Sequence, residues 1–415
     1  MNEHAQATVA EPVQSPAGQA RIGSLDAYRG FTMLLMVWSS WRWLPPILNA
    51  YPESGFLKAL DHQLKHLTWA GCTVWDMIQP SFMFMVGASL AYSFAKRQQR
   101  GDSRRQMFFH ALRRAVILIL LGVFLRSFNF HGTYWTFEDV LTQIGLGYVF
   151  LFLLAGRPLK WQLTALLLIL VGYWALFALC PLPGADFDPA SVAAADPAVR
   201  FEGFEGHWSK NTHPAHHFDR WFLNLFPRPV RNDGVDIGPF AYNSGGYYTL
   251  NFIPSLATMI LGLLAGQILR GASGGRRKLL LLLVVGGGLV AIGAGLESLG
   301  ISPIVKRIWT PGWAILSGGW CFIALAALYG IIDLVGWRRW AFVGIVVGLN
   351  PITFYVMSWI VVDWINANLR RHLGTNFFKT IAGETFGPLL GTVVLVGLLW
   401  LIVYWMYRRK IFLRI

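Results

Sequence analysis

His66, Asp76 and Asn350 are the residues with chemistry to offer in a largely apolar sequence. An imidazole titrates near pH 6.5, so His66 suits a general base at neutral pH. Asp76 stands where the sequence turns continuously apolar, and ionisable groups inside membrane helices are costly and mark function by default. Asp76, Pro80, Phe84 and Gly87 are spaced by four, four and three, which puts them on one helical stripe. Pro80 has no N–H, so the spacing predicts a freed Asp76 carbonyl within that helix. Asn350 carries an amide into another apolar run, just before Pro351. It either bonds a neighbouring helix or holds a donor or acceptor oxygen. Arg113 and Arg114 adjoin an apolar run, Ala115 to Leu125, of 11 residues or ~16 Å. That is too short for about 30 Å of hydrocarbon. Both arginines therefore either snorkel to the interface or meet the phosphates of a nucleotide-like donor. Asp26 and Arg29, three apart, can pair or shape the inner mouth of a pocket.

These residues need elements to hold them. The 415 residues are 55% hydrophobic and 13% charged, where a soluble domain carries about a quarter charged residues. The sequence predicts an all-α, polytopic membrane protein with about ten transmembrane helices. They lie near 26–44, 72–95, 110–128, 138–156, 161–180, 248–269, 278–298, 310–333, 340–362 and 384–407. Gly87 and Ala91 form a small-xxx-small pair that lets a neighbouring helix approach closely. Residues 1–20, rich in Ala, Gln, Pro and Ser, predict a disordered cytoplasmic tail. Residues 21–415 then form a single transmembrane domain.

The net charge of +14 is better explained by cytoplasmic loops than by nucleic acid. With both termini inside, 20 Lys and Arg fall in inner segments and 9 in the short outer ones. The long loop 181–247 would then face outward. Its His207, His213, His216 and His217 match no zinc spacing, so no metal is expected. Cys72, Cys180 and Cys321 form no close pair, so no disulfide framework is indicated.

The stretch K-H-L-T-W-A-G-C-T-V-W-D-M-I-Q-P-S-F-M-F-M-V-G, read through His66, Trp69, Gly71, Thr73, Val74, Asp76, Pro80, Phe82, Phe84 and Gly87, resembles a known motif. It is the central motif of the heparan-alpha-glucosaminide N-acetyltransferase-like transmembrane acyltransferase family, in its prokaryotic branch. S-L-D-A-Y-R-G at Ser24, I-V-K-R-I-W-T at Ile304, G-L-N-P-I-T-F-Y at Gly348 and the C-terminal Y-R-R-K-I-F-L-R-I extend the resemblance over nearly all of 21–415. It implies an enzyme that moves an acetyl or other acyl group from cytoplasmic acetyl-CoA to an amine or hydroxyl of an extracytoplasmic sugar or glycolipid. It implies catalytic roles for His66, Asp76, Ser40 and Asn350, and a hold on the CoA end by Arg113, Arg114 and Arg29. Acetyl-CoA is the co-substrate. The partners implied are an acyl-CoA, the acceptor and membrane lipids, with a homodimer among the assemblies allowed. The place implied is a plasma (inner) membrane.

Two positions depart from the family. Ser40 stands where the family has an asparagine that assists catalysis, and a hydroxyl replaces only one of an amide's hydrogen bonds. Gln143, in Val140-Leu141-Thr142-Gln143, stands where the family has an arginine. The alternative is a transporter of a small molecule or lipid-linked sugar, which helix-breaking Pro80, Pro254 and Pro351 would suit. The sequence shows no internal repeat that a transporter would favour.

Overall fold

The structure, a computed structural model, describes residues 22–39, 43–184 and 186–413. The expected tail 1–20 and the candidate Ser40 lie outside the described residues. The chain is all-α, and the described residues contain no strand beyond isolated bridges. Among the described residues fifteen α-helices follow in order. They are α1 (Gly23–Ser39), α2 (Leu44–Ala50), α3 (Gly55–Gln63), α4 (Ile78–Gln99), α5 (Arg104–Arg126), α6 (Val140–Leu154), α7 (Leu159–Ala178), α8 (Pro214–Phe222), α9 (Phe252–Arg270), α10 (Gly275–Ser298), α11 (Pro311–Leu328), α12 (Phe342–Leu349), α13 (Pro351–Ile360), α14 (Val362–Leu373) and α15 (Phe377–Arg408).

Each of the ten apolar segments is mostly helical over its described residues, but the count of ten crossings does not carry over. Among the described residues six helices are long and apolar enough to cross a membrane, or seven with the broken pair α12–α13. This makes the chain a multi-pass membrane protein. The segments that fall short do so for physical reasons. α1 and α6 have 17 and 15 residues, and α4, long enough at 22, is diluted by Gln79, Ser81, Ser89 and Ser93 and is not among the six. The pair α12–α13 bends by 84°, where Pro351 opens the second helix and removes a donor from the ladder.

α4 is the spine. It starts after a short 3₁₀ turn, Trp75–Met77, and runs 22 residues, ~33 Å at 1.5 Å per residue. Its middle is packed on α9 through glycines. A Cβ on Gly87 would fall 1.9 Å from the Met259 carbonyl oxygen, and one on Gly262 would fall 1.8 Å from that of Phe84. A Cβ on Gly266 would meet the Cβ of Ala91 at 2.8 Å. The small-residue pair Gly87–Ala91 is thus where α9 comes closest, as the spacing predicts.

Pro80 corrects one expectation. It lies in the first turn of α4, where no intrahelical donor is required. Asp76 belongs to the turn before the helix, not to a stripe inside it. The freed carbonyl at mid-membrane is therefore not a feature of this chain.

The loop 181–247 is a folded cap. Trp208, Ala215 and Tyr248 pack with Tyr173 and Phe177 of α7 and with Trp69. The Trp69 indole N–H donates to the Trp208 carbonyl at 3.0 Å, so the cap grips the segment that carries His66. Among the described residues no group of three His, Cys, Asp or Glu is placed to hold a metal.

Candidate active site

The segment from His66 to Asp76 turns back on itself at Gly71, whose φ of +109° favours glycine. There the Gly71 N–H donates to the Ile304 carbonyl at 2.8 Å, and Ala70 pairs with Val305. That pairing brings the strand-like run Ile304–Lys306 alongside the histidine. Arg307 donates to the Gly245 carbonyl and, at 3.3 Å, to that of Leu67. The loop is pinned on both sides.

The result is a three-residue centre. His66 Nδ1 lies 2.6 Å from Asp76 Oδ1. A carboxylate accepts only, so the proton sits on Nδ1 and the Nε2 lone pair is left for chemistry. The Trp75 indole N–H donates into that lone pair at 2.9 Å. Lys306 Nζ stands 3.3 Å from Asp76 Oδ1 and 3.2 Å from His66 Nδ1. The Thr73 hydroxyl lies 2.9 Å from both Asp76 Oδ2 and the Lys65 carbonyl, and donates to one at a time. The Asp76 and Lys306 side chains are 4% and 8% exposed, while that of His66 is 39% exposed. The reactive group is reachable and its supports are not.

Charge balance in this centre is set by position. Burial alone would raise the Asp76 carboxyl, but the bond from His66, the Lys306 charge and Thr73 lower it to about 2. Burial lowers Lys306 to about 8, against the pull of Asp76. Burial also lowers His66, and the Lys306 charge adds to that against the raising hydrogen bond to Asp76. A histidine–carboxylate pair by itself would favour imidazolium. Burial, with the ammonium adding to it, outweighs that preference, so His66 stays neutral near pH 7.

His66 and Lys306 border a cavity of about 630 Å³. Its far wall holds a second charged group. Arg126, at the end of α5, donates to Asp139 at 3.3 Å and sits over the Trp359 ring. The Tyr355 hydroxyl donates to the same Asp139 oxygen at 3.0 Å. Glu138, next to them, accepts from the Asn243 amide, and burial pushes its carboxyl up despite the Arg126 charge. Arg126 is thus drawn into the bundle at the end of α5, one of the two ways a short apolar run can be accommodated.

A second cavity, about 410 Å³, lies against the other end of α4. Lys96, Arg97, Arg100, Arg29 and Arg114 line it. Arg114 reaches the Tyr148 hydroxyl at 3.2 Å and lies over that ring, 4.7 Å from its centre. Its Nε is buried with no hydrogen-bond partner in the protein. Arg29 pairs with Asp26 at 2.5 Å, as the i, i+3 spacing predicts.

The sequence-derived candidates therefore divide. His66 and Asp76 come together in one cavity, while Arg29 and Arg114 come together in the other. Arg113 is exposed and borders neither cavity. Asn350 joins neither group. Its amide donates to the Ile411 carbonyl at 3.0 Å and its oxygen accepts from the Leu413 N–H at 3.0 Å. The amide tethers the C-terminal segment, the neighbour-bonding role open to it from the start. Gln143 is buried and donates to the carbonyls of Phe137, Tyr248 and Thr249. The position that departs from the family thus anchors backbone and faces neither cavity. Lys306 and Tyr355 were present in the quoted motifs but had no role there. Their signal is pairing across 240 and 216 residues, which spacing does not reveal.

Comparison with known proteins agrees with the motif. A family described as a domain of unknown function (DUF5009) matches residues 21–189. Human heparan-alpha-glucosaminide N-acetyltransferase is 24% identical over 442 residues, covering 95% of this chain and 60% of the human protein. The mouse protein of the same name is 24% identical over 446 residues, covering 98% and 62%. The chain spans about 60% of the length of these curated relatives. The resemblance read from the motif is borne out over most of the chain.

Proposed function

From a chain that resembles the heparan-alpha-glucosaminide N-acetyltransferase-like family almost end to end, we propose a membrane-embedded acyltransferase with acetyl-CoA as donor. The observation that supports this best is the division of labour along α4. A neutral histidine held by a carboxylate stands at one end, and a cavity walled by cations stands at the other. The two ends are ~33 Å apart along the helix, close to the hydrocarbon thickness of about 30 Å.

The cationic cavity fits the donor. Its arginines and lysine suit phosphates, and the unpartnered Arg114 Nε offers a buried donor to an anion. The group supplied by acetyl-CoA is a thioester carbonyl open to attack. His66 Nε2 accepts the proton of the acceptor amine or hydroxyl once that group displaces the Trp75 indole. The acceptor's N or O bonds to the acyl carbon, the C–S bond breaks, and the proton passes to the thiolate. Asp76 holds the ring and its tautomer. Burial and the Lys306 charge together keep the imidazole neutral, so that the lone pair is available. The acceptor is a sugar or glycolipid on the extracytoplasmic side of the plasma membrane.

The test is direct. Purified protein in lipid receives acetyl-CoA labelled in the acetyl group, with sugars bearing free amines or hydroxyls. An acceptor that gains the acetyl mass supports the reading. No CoA binding and no thiol release sinks it. Orientation is tested separately by cysteine labelling in cells. A site at Gly101 should be shielded from an impermeant reagent and one at Asp196 open to it, and the reverse would place both termini outside.

A further inference from the structure

Three residues border both cavities: Phe82 of α4, Val140 of α6 and Tyr355 of α13. Phe82 and Tyr355 are 6% and 3% exposed although a cavity lies on each side of them. They fill the space between. Two of them, Val140 and Tyr355, are also tied to one corner. Asp139 caps α6 by accepting from the Leu141 N–H at 2.9 Å. It immediately precedes Val140, and it accepts from Tyr355 at 3.0 Å. Arg126 fixes Asp139 in turn at 3.3 Å.

We infer that Phe82, Val140 and Tyr355 form a partition that the acyl group must cross, and that this partition selects the acyl group by length. The inference rests on the acyl-transfer reading above. If the CoA end is held by the cations of one cavity and the attacking group waits at His66 in the other, the thioester lies at the partition. The side chains there are close-packed, so a small displacement makes room for a methyl and each further methylene demands more. Tight apolar pockets discriminate one methylene by about 10- to 200-fold at most. Tyr355 carries the one polar tether in the partition, so its ring is restrained by a charge-assisted bond while Phe82 and Val140 are restrained only by packing. The latter two therefore set the size limit.

The experiment uses the full chain in lipid nanodiscs with acetyl-, butyryl- and octanoyl-CoA, and glucosamine as the offered acceptor. Thiol release gives kcat/KM for each thioester, and calorimetry with CoA alone reports donor binding. In the wild type, octanoyl-CoA should be used at least about tenfold less well than acetyl-CoA. Phe82→Ala and Val140→Ala should each raise the octanoyl-to-acetyl ratio by at least about tenfold, with CoA binding within about threefold of wild type. Val140→Ala is the milder truncation and keeps the test open if Phe82→Ala does not fold. An unchanged ratio in a folded variant, or a wild type indifferent to chain length, overturns the partition and leaves acyl transfer standing. Absence of CoA binding and of thiol release in the wild type overturns the acyl-transfer reading, and the partition with it.

Discussion

The two ends of α4 solve different problems with different kinds of order. At the His66 end each polar group is fixed by short contacts from two or more directions. Asp76 touches His66 and Lys306, and the Thr73 hydroxyl can donate to it as well. Those partners come from segments far apart in sequence, locked by Gly71 and by the cap over Trp69. At the other end the cations are long side chains brought together from α1, the last turn of α4 and its cap, and α5. Arg97 pairs with Asp102 five residues away, and Arg114 leans on a ring. Proton transfer needs atoms placed to a fraction of an ångström. Phosphate binding needs charge in reach and tolerates movement. The contrast teaches that substitutions should act on rate at one end and on donor affinity at the other.

The largest expected effect tests the rigid end. His66→Ala should lower acyl transfer by about 10²- to 10⁴-fold, with CoA affinity unchanged. His62→Ala is the control, because His62 is exposed on α3 and touches none of the three central residues. If the His66 variant keeps more than about a tenth of wild-type turnover, the contrast between the ends collapses.

Next comes the loose end. Arg114→Ala should weaken CoA binding by roughly 10- to 150-fold, the loss of one charge-assisted contact of about 1.5–3 kcal/mol. Arg113→Ala should change it by less than about threefold, since Arg113 faces away from the cavity. Calorimetry on the two folded variants decides. Equal losses would mean that diffuse charge, not a contact, draws the donor. No loss in either would assign both arginines to the membrane interface.

How much of this was legible beforehand follows from the same contrast. Local pattern was enough for the helices, because an apolar run announces itself. It was enough for Gly87 and Ala91, because close approach needs small residues. It was enough to single out His66 and Asp76, ten apart in one motif. It was misleading about where Asp76 stands. Periodicity put it inside a helix, whereas the chain spends Trp75–Met77 on a tighter turn first. Lys306 and Tyr355 were out of reach. They meet their partners through backbone pairing of Gly71 with Ile304 and through the break before Pro351, and neither carries a spacing that points across the chain. Asn350 was noticed for its polarity, but sequence offers no means to tell that its partners are the last residues of the chain. The basic cavity was half legible. Arg29 and Arg114 stand out beside apolar runs, while Lys96, Arg97 and Arg100 read in sequence only as basic loop charges.

The smallest expected effect is a shift in pH dependence, and it asks why Lys306 stands beside a base. Two influences on His66 oppose each other. Asp76 favours the imidazolium, while burial and Lys306 oppose it, and the sum lies below the ordinary value. Base catalysis requires the neutral ring, so kcat/KM should rise with pH through a midpoint below about 6.5 and then level off. Lys306→Met removes the cation and leaves the carboxylate opposed by burial and the charge of Arg307. The His66 value then moves up, the acid limb moves to higher pH, and the loss of activity is greater at pH 6 than at pH 8. Loss of the Lys306 proton near its own value of about 8 should leave wild-type activity level, because the imidazole is neutral there with or without that charge. Lys306→Arg restores a charge that does not titrate in this range. It should return the acid limb toward its wild-type position. A profile for Lys306→Met that falls uniformly at every pH would make Lys306 a packing residue, and His66 would then owe its neutrality to burial alone.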